Sequence, residues 1–563
     1  MRQSICIIVT LLSIIGPATS EPIYPNANTI AATNSVSINN LIHADKGFDS
    51  SSTYWSPDGK FLLFRSFESI SMSESINKHY LLDVENKKYG KIDYGITEKE
   101  SNYIGQTLGW TPCGNKIYFS VLKIGHGRGT SGSNAVICDP DGTNMRAVDS
   151  KNKSTLSNII ANLGGDVMYG DLTFNPDCNK ISFEYEDPGN FVGDIRIESF
   201  DGTNPFDFQT DANDLVWCNS TIAIVQSCNG SIVVSDVNRN IIYSFTPPSE
   251  SERYLLLSVS PDKKKLSFME IDKDDNIRYY ISNIDGSEPV SIDKSNLEFF
   301  DEVQLEFGIW QPNGSGMLLI DNGDLYVIEG NVNKKRLLYE GNATHPQWFP
   351  DGNKILFIEN GNQMCSIDLN GTNFSHITDI GFTTPFAADT YQLKQISISP
   401  SGNTIAFTSG LDQSGKMVLY EPSIESQKYI ASPLFIINSD GTNLIQLTSA
   451  VKGRHDFLEG WSQNGKMLTV NCIQFTRDEI KSNNSYIFSL DGANLTDGWQ
   501  EMPVSKILGK DSIVQSNNSS QASVKTIGNK DEAKDQNTPQ SPAFQMTDLF
   551  VCITCVYLLK LRK

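Results

Sequence analysis

A ten-residue unit recurs along this chain and limits what it can fold into. Its clearest copies are Trp55-Ser56-Pro57-Asp58-Gly59-Lys60-Phe61-Leu62-Leu63-Phe64 and Trp348-Phe349-Pro350-Asp351-Gly352-Asn353-Lys354-Ile355-Leu356-Phe357. Related copies begin at Trp110, Phe174, Val259, Trp310, Ile398 and Trp461. A degenerate copy, Val216-Trp217-Cys218-Asn219, precedes the strand-like Ile222 to Val225 and brings the count to nine. In each copy the residue before the Ser-Pro pair ends one strand. Pro fixes φ, and Asp-Gly or Asn-Gly closes a tight turn because Gly accepts positive φ. The next strand then alternates, as in Lys116-Ile117-Tyr118-Phe119 and Lys180-Ile181-Ser182-Phe183.

A second turn follows in most units: Asp139-Pro140-Asp141-Gly142-Thr143-Asn144, Asp201-Gly202-Thr203-Asn204, Asp440-Gly441-Thr442-Asn443 and their relatives at Asp285, Asn370 and Asp491. Two hairpin turns imply about four short strands per unit, which is one propeller blade. The anchoring prolines stand at 57, 112, 176, 261, 312, 350 and 400, with Gln463 in the ninth copy. The long interval from 176 to 261 holds the degenerate copy. A period of roughly 40 to 60 suits blades with variable loops. The expected fold is a single all-β propeller of four-stranded blades over residues 45–505. Eight blades are expected within a range of seven to nine: nine if every copy closes a blade, seven if the terminal copies are partial.

These repeats resemble the WD40-like repeats of the TolB propeller family, whose blades carry a W-S-P-D-G segment and then a D-x-D-G-x-N turn. The propeller of dipeptidyl-peptidase-type proteins is similar. The resemblance covers about residues 45 to 500 and implies the propeller fold. Two departures limit what else it implies. The first unit begins at Trp55, so the α/β domain that precedes the propeller of TolB is not expected. Peptidases with such propellers carry a G-x-S-x-G nucleophile elbow on a hydrolase domain. Gly129-Thr130-Ser131-Gly132-Ser133 lacks that spacing, and the tail after the last unit is short for such a domain.

The net charge is 45 − 66 = −21, which argues against nucleic acid as a partner. The Asp-Gly turns and Asp272-Lys273-Asp274-Asp275-Asn276 lack the length, the Gly and the closing Glu of a calcium loop, so turn chemistry accounts for them. Six histidines occur. Among similar propellers, oligogalacturonate lyases place several His and a Gln around a central metal. That resemblance draws attention to His345-Pro346-Gln347 and His455-Asp456, which lead into inner strands. No Cys/His spacing supports a metal, and neither metal nor cofactor is assigned.

Loops that enter the first strand of a blade and loops that join its second and third strands share one face. That face should hold Lys123 to Ser133, with His126 and Arg128, together with Glu184 to Asn190, Asp272 to Asn276 and Thr408 to Ser432. The candidate ligand-binding residues are His126, Arg128, His345, Gln347, His455 and Asp456; no catalytic residue is assigned. Two functions remain open. One is a non-catalytic binding or scaffold module for a protein, peptide or glycan. The other is a lyase or hydrolase working from the central channel.

The ends read differently from the middle. Arg2, the apolar run Ile5 to Ile15 and Ala18-Thr19-Ser20 read as a secretory signal (residues 1–20) cleaved between Ser20 and Glu21. Residues 21–44 read as a lead segment. Residues 506–545 turn rich in Ser, Asn and Gln and read as a disordered spacer. The apolar stretch Leu549 to Leu559, within a tail at 546–563, is short for a bilayer span. A lipid-anchor signal, a short membrane segment and neither remain open for it. An exported chain, secreted or held at the cell surface, is the expectation. Asn-x-Ser/Thr sequons stand at Asn152, Asn219, Asn229, Asn313, Asn342, Asn370, Asn373, Asn483, Asn494, Asn517 and Asn518. Of the ten cysteines, Cys218 and Cys228 are close enough for a local bridge, and free buried thiols are the alternative.

Overall fold

The computed structural model describes residues 28–29, 34–42, 50–71, 74–123, 132–148, 150–163, 168–186, 194–209, 212–227, 230–238, 240–246, 253–273, 277–292, 309–329, 335–380, 396–409, 432–449, 451, 454–475 and 480–509. They form nine antiparallel blades of four strands. Blade 1 is Ser50–Trp55, Phe61–Ser71, Glu74–Asp83 and Lys88–Lys91. Blades 2 to 8 follow at 104–147, 168–209, 212–245, 253–292, 309–339, 343–379 and 396–446. Blade 9 has only three strands from the end of the repeat region: Arg454–Trp461, Met467–Phe475 and Ile480–Ser489.

Its fourth strand comes from the opposite end of the chain. Ser35–Ser37 pairs antiparallel with Tyr486, Ile487 and Phe488. The segment expected to lead up to the propeller thus contributes a strand to it. Two further additions flank this closure. Asn28–Thr29 runs parallel to the outer strand of blade 8, and Gln500–Glu501 runs parallel to the outer strand of blade 1. The count is nine, the upper end of the expected range of seven to nine, for two reasons. The degenerate copy around Trp217 makes a complete blade at 212–245, and the borrowed strand completes the ninth.

The core lies between blades. Along the second strand of blade 1, Leu62, Leu63 and Phe64 are all fully buried, because both faces of the sheet meet a neighbour. Leu63 and Leu81 pack with Ile117 and Phe119 of blade 2. Leu62, Phe64 and Leu82 pack with Ile487 of blade 9 and Ile38 from the N-terminal segment.

The repeated motif does a second job at these interfaces. Five motif tryptophan indoles donate to the preceding blade: Trp110 to the Tyr54 carbonyl (3.0 Å), Trp217 to Ser182 Oγ (2.9 Å), Trp310 to Ser258 Oγ (2.9 Å), Trp348 to the Ile309 carbonyl (3.0 Å) and Trp461 to Ser397 Oγ (3.0 Å), whereas Trp55 Nε1 makes no hydrogen bond among the described residues. The Pro-Asp-Gly turns also touch in sequence around the ring. Gly59 has φ +71°, and a Cβ there would sit 2.7 Å from Cβ of Gln463 in the turn of blade 9. Gly314 has φ +74°, and its Cβ would sit 2.5 Å from the Asp262 carboxyl carbon in blade 5. Glycine is required there both by φ and by the neighbouring turn.

In blade 3 that glycine position is Cys178 (φ +50°), and it is joined to Cys113, which stands at the aspartate position of blade 2. A disulfide therefore replaces the turn-to-turn contact. Of the two alternatives left open for Cys218, the free buried thiol is the one found; Cys228 lies outside the described residues. Burial in blade 4 pushes the Cys218 thiol up to about 11.

The second turns are held as their composition requires. The Asp201 carboxylate accepts from the Thr203 amide (3.0 Å) and hydroxyl (2.6 Å), and Asp440 and Thr442 repeat the arrangement. These bonds lower both carboxyl pKa values, the hydroxyl bond being the largest cause. Asn144, Asn204, Asn373 and Asn443 follow in the left-handed region that Asn tolerates. The segments read as signal, spacer and C-terminal tail lie outside the described residues. No helix among the described residues is long and apolar enough to cross a membrane.

Candidate functional site

First strands of neighbouring blades pack against one another around the axis, including those of blades 1 and 9 at the closure. Side chains on these strands therefore divide between the axis and the seams. Gln347, on the first strand of blade 7, donates through Nε2 to the Ile396 carbonyl of blade 8 (2.9 Å). It works as a cross-blade tie. His345 stands at a bulge in the same strand, between Thr344 and Gln347, with φ +54°. The extra residue re-aims the chain just before the tie.

His455 and Asp456 belong to a buried network at the start of blade 9. Asp456 is 2% exposed. It accepts from Arg454 Nε (2.8 Å) and from the Thr448 hydroxyl. Thr448 Oγ1 also accepts from the Leu434 amide of blade 8 (2.8 Å), so the carboxylate is tied to both blades. Arg454 Nη2 reaches Cys472 Sγ (2.9 Å). Burial opposes the Arg454 charge most strongly, yet the Asp456 carboxylate and its other partners hold the guanidinium pKa above its usual value. Burial drives the Cys472 thiol up, helped by the same carboxylate, and pushes the His455 imidazole down. His455 and Asp456 are thus brought together, with Arg454 and Cys472 that the sequence did not single out. His345 and Gln347 stay apart from them, with blade 8 between. His126 and Arg128 lie outside the described residues.

The closure seam carries a further polar pair that the sequence did not reveal. Thr53 of blade 1 donates to Glu459 Oε2 of blade 9 (2.8 Å). Desolvation raises the Glu459 carboxyl to about 7. Among the described residues no group of three or more His, Cys, Asp or Glu is arranged to hold a metal.

The two ends of the ring differ in their connections. At one end most blades turn tightly through the Pro-Asp-Gly and Asp-Gly-Thr-Asn motifs; the connection 330–334 of blade 6, at the same end, lies outside the described residues. The other end carries the connections 92–103, 148–167, 293–308, 380–395 and 409–433, each joining strands described above. At the tight-turn end a cleft of about 470 Å³ lies between blades 8 and 9, lined by Asn34, Asn438, Asn443, Ser489 and Asp491 among others.

Among the described sequons, Asn152, Asn219, Asn313, Asn342, Asn370, Asn373 and Asn494 are exposed, while Asn229, Asn517 and Asn518 lie outside the described residues. Several sequons are turn elements in their own right. Asn370 Oδ1 accepts from the Thr372 amide (3.0 Å) and hydroxyl (2.6 Å), and Asn313 does the same with Ser315. Asn483 is 1% exposed, with its carbonyl taken by Asn39, and burial removes it from the glycosylation candidates.

No family model and no curated protein matches the chain. Solved structures with a similar fold include the propeller of Dos1 (11% identity, TM-score 0.39, 70% of this chain and 95% of that one). The C-terminal WD40 domain of Sif2 is also similar (12%, 0.35, 67% and 94%), as is TolB from Acinetobacter baumannii (14%, 0.23, 59% and 80%). The resemblance to WD40 and TolB propellers is one of fold.

Proposed function

We propose that the chain is an exported, surface-tethered binding module that holds a protein, peptide or glycan on the long-loop end of its ring. The observation that carries this reading is the asymmetry between the ends. Most of the described turns at one end are short, while the connections 92–103, 148–167, 293–308, 380–395 and 409–433 join strands at the other. A rigid ring that presents irregular loops on one side is how scaffolds carry recognition. Two inner-strand residues suited to chemistry, Gln347 and Asp456, are engaged in ties between blades, which supports binding over catalysis. The signal-like N-terminus supports export, and the Cys113–Cys178 disulfide fits an oxidising compartment.

The test compares the full chain with a variant in which residues 410–431 are replaced by a short turn. Both are probed against cell-surface proteins and a glycan array. Asn370→Gln, at the opposite end, serves as the control. The loop variant should lose the ligand and the control should keep it. Binding that survives loop replacement but fails in the control would place the ligand at the other end and refute the reading. N-terminal sequencing of secreted material beginning at Glu21 tests export.

A further inference from the structure

Two of the described arginines, Arg65 and Arg146, are buried and a third, Arg454, is half-buried; of these three, Arg65 has no carboxylate partner among the described residues. Arg146 is 6% exposed and pairs with Glu198, itself fully buried, at 2.8 Å. Arg454 pairs with Asp456 at 2.8 Å. Arg65 is 4% exposed, yet among the described residues its Nε and Nη2 make no hydrogen bond within the protein. Burying an uncompensated guanidinium costs several kcal/mol (roughly, by desolvation), and Arg does not escape by losing its proton.

The surroundings are specific. Arg65 lies in the second strand of blade 1, between Ser52 of the first strand and His79 of the third. Phe67 and Asn77 form the next row on the same face, and the guanidinium carbon lies 5.6 Å from the Phe67 ring centre. This face looks toward blade 2: His79 Nδ1 bonds the Tyr94 hydroxyl (2.7 Å), and its ring meets Phe119 edge-on. His79 Nε2 and Asn77 Oδ1 are both buried and, like Arg65, make no hydrogen bond within the described protein. Burial and the adjacent Arg65 push the His79 imidazole down to about 3, so it stays neutral. In the tautomer in which Tyr94 donates to Nδ1, the His79 proton sits on Nε2 and provides a third donor.

The two idle nitrogens of Arg65 belong to one edge of the guanidinium. Their N–H bonds run parallel and match two oxygens of a planar oxyanion. We propose that this edge, with His79 Nε2 and Asn77 Oδ1, forms a binding site for a small planar oxyanion enclosed between blades 1 and 2. Asn77 adds an acceptor, so an oxyanion that also carries a hydroxyl, of bicarbonate or glycolate size, fits better than acetate. A halide can use only the donors.

The test is calorimetry and thermal unfolding of the full chain with bicarbonate, glycolate, acetate and chloride at constant ionic strength. Saturable binding of glycolate and bicarbonate is expected, with acetate about tenfold weaker and chloride without effect beyond ionic strength. This assigns the missing acceptor contact the worth of one buried hydrogen bond. Arg65→Gln should abolish binding, and Arg65→Lys should weaken it by losing the fork. On the wild-type chain the Arg65 ¹⁵Nε resonance should move with glycolate, a reading independent of whether either variant folds. Absence of saturable glycolate and bicarbonate binding, a stationary ¹⁵Nε resonance, equal protection by chloride, or unchanged binding in a folded Arg65→Gln chain would each overturn the site.

Discussion

The ring is closed by three strand residues and the short helix behind them, and the closure should yield to one substitution. Asn39 lies in the helix Ile38–Leu41 and is 2% exposed. Its Nδ2 donates to the Asn483 carbonyl (3.1 Å), and its Oδ1 accepts from the Ser485 amide (3.2 Å). The side chain thus extends the ladder of Ser35–Ser37 past the point where the backbone turns away. Asn39→Ala removes both bonds within a dry seam. At about 1 to 2 kcal/mol for each, with the buried backbone groups left behind, the clasp should weaken by about 2 to 4 kcal/mol. That converts to a rise of roughly thirtyfold to several hundredfold in local opening. Hydrogen exchange followed by mass spectrometry reads this directly. Peptides covering Ile480–Ser489 should exchange faster by that factor, while peptides from blade 5, on the far side of the ring, should keep their rates. Unchanged exchange at 480–489 would show that the N-terminal strand does not clasp the ring. Equal acceleration in every blade would show that the clasp is not a local device.

Other perturbations follow from the same contacts. Cys113→Ser opens a cross-link spanning 65 residues and should lower stability by about 4 kcal/mol on the loop-entropy model, a difference that reductant should erase in thermal melts. Glu198→Ala strands Arg146 between blades 2 and 3 and should cost about 3 to 5 kcal/mol, read from the urea midpoint. His79 is held neutral in the fold. Its stability contribution is complete above the ordinary imidazole value near 6.5 and falls as pH drops toward 3, because only the unfolded chain takes up the proton. His79→Phe should flatten that limb of the stability profile. Glu459 has the opposite sense. Its raised carboxyl favours the fold below the ordinary value near 4.5, and the advantage is lost as pH rises through about 7. Glu459→Gln should therefore gain on the wild type in mildly alkaline buffer and match it in acid.

The parts of this fold that the sequence exposes are those where the chemistry is local. Pro57, Asp58 and Gly59 declare a turn because φ, carboxylate and missing Cβ act within five residues, and the pattern survives in blade after blade. Even the weakened copy at Trp217 keeps its strand and its indole tie to Ser182. Ser35–Ser37 carries no such mark. Three small and β-branched residues become a strand only because blade 9 offers an open edge some 450 positions away. The disulfide is an intermediate case. Cys113 and Cys178 occupy equivalent turns, one at the aspartate position and the other at the glycine position, and the aligned repeats contain that signal. The site residues were harder. His345, Gln347, His455 and Asp456 lie on first strands as expected, but whether a first-strand side chain faces the axis or a seam depends on bulges such as the one at His345. Arg65 is one letter in Phe61-Leu62-Leu63-Phe64-Arg65-Ser66-Phe67. Its lack of a carboxylate partner among the described residues is a property of two packed blades.

The borrowed strand also sets an order of events during synthesis. Residues 35–37 leave the ribosome before every repeat, yet their partners at 486–488 are among the last of the repeat region. Until then the N-terminal strand has no seat, and the outer edge of blade 9 does not exist. Each completed blade can rest on the one before it, in blades 2, 4, 6, 7 and 9 through an indole bond, so the arc can grow blade by blade. The ring itself closes only once the last repeat has emerged. Its first strand is the last to be placed, and slow synthesis of blades 8 and 9 prolongs the interval in which blade 1 shows an apolar face, Leu62, Phe64 and Leu82, to everything nearby.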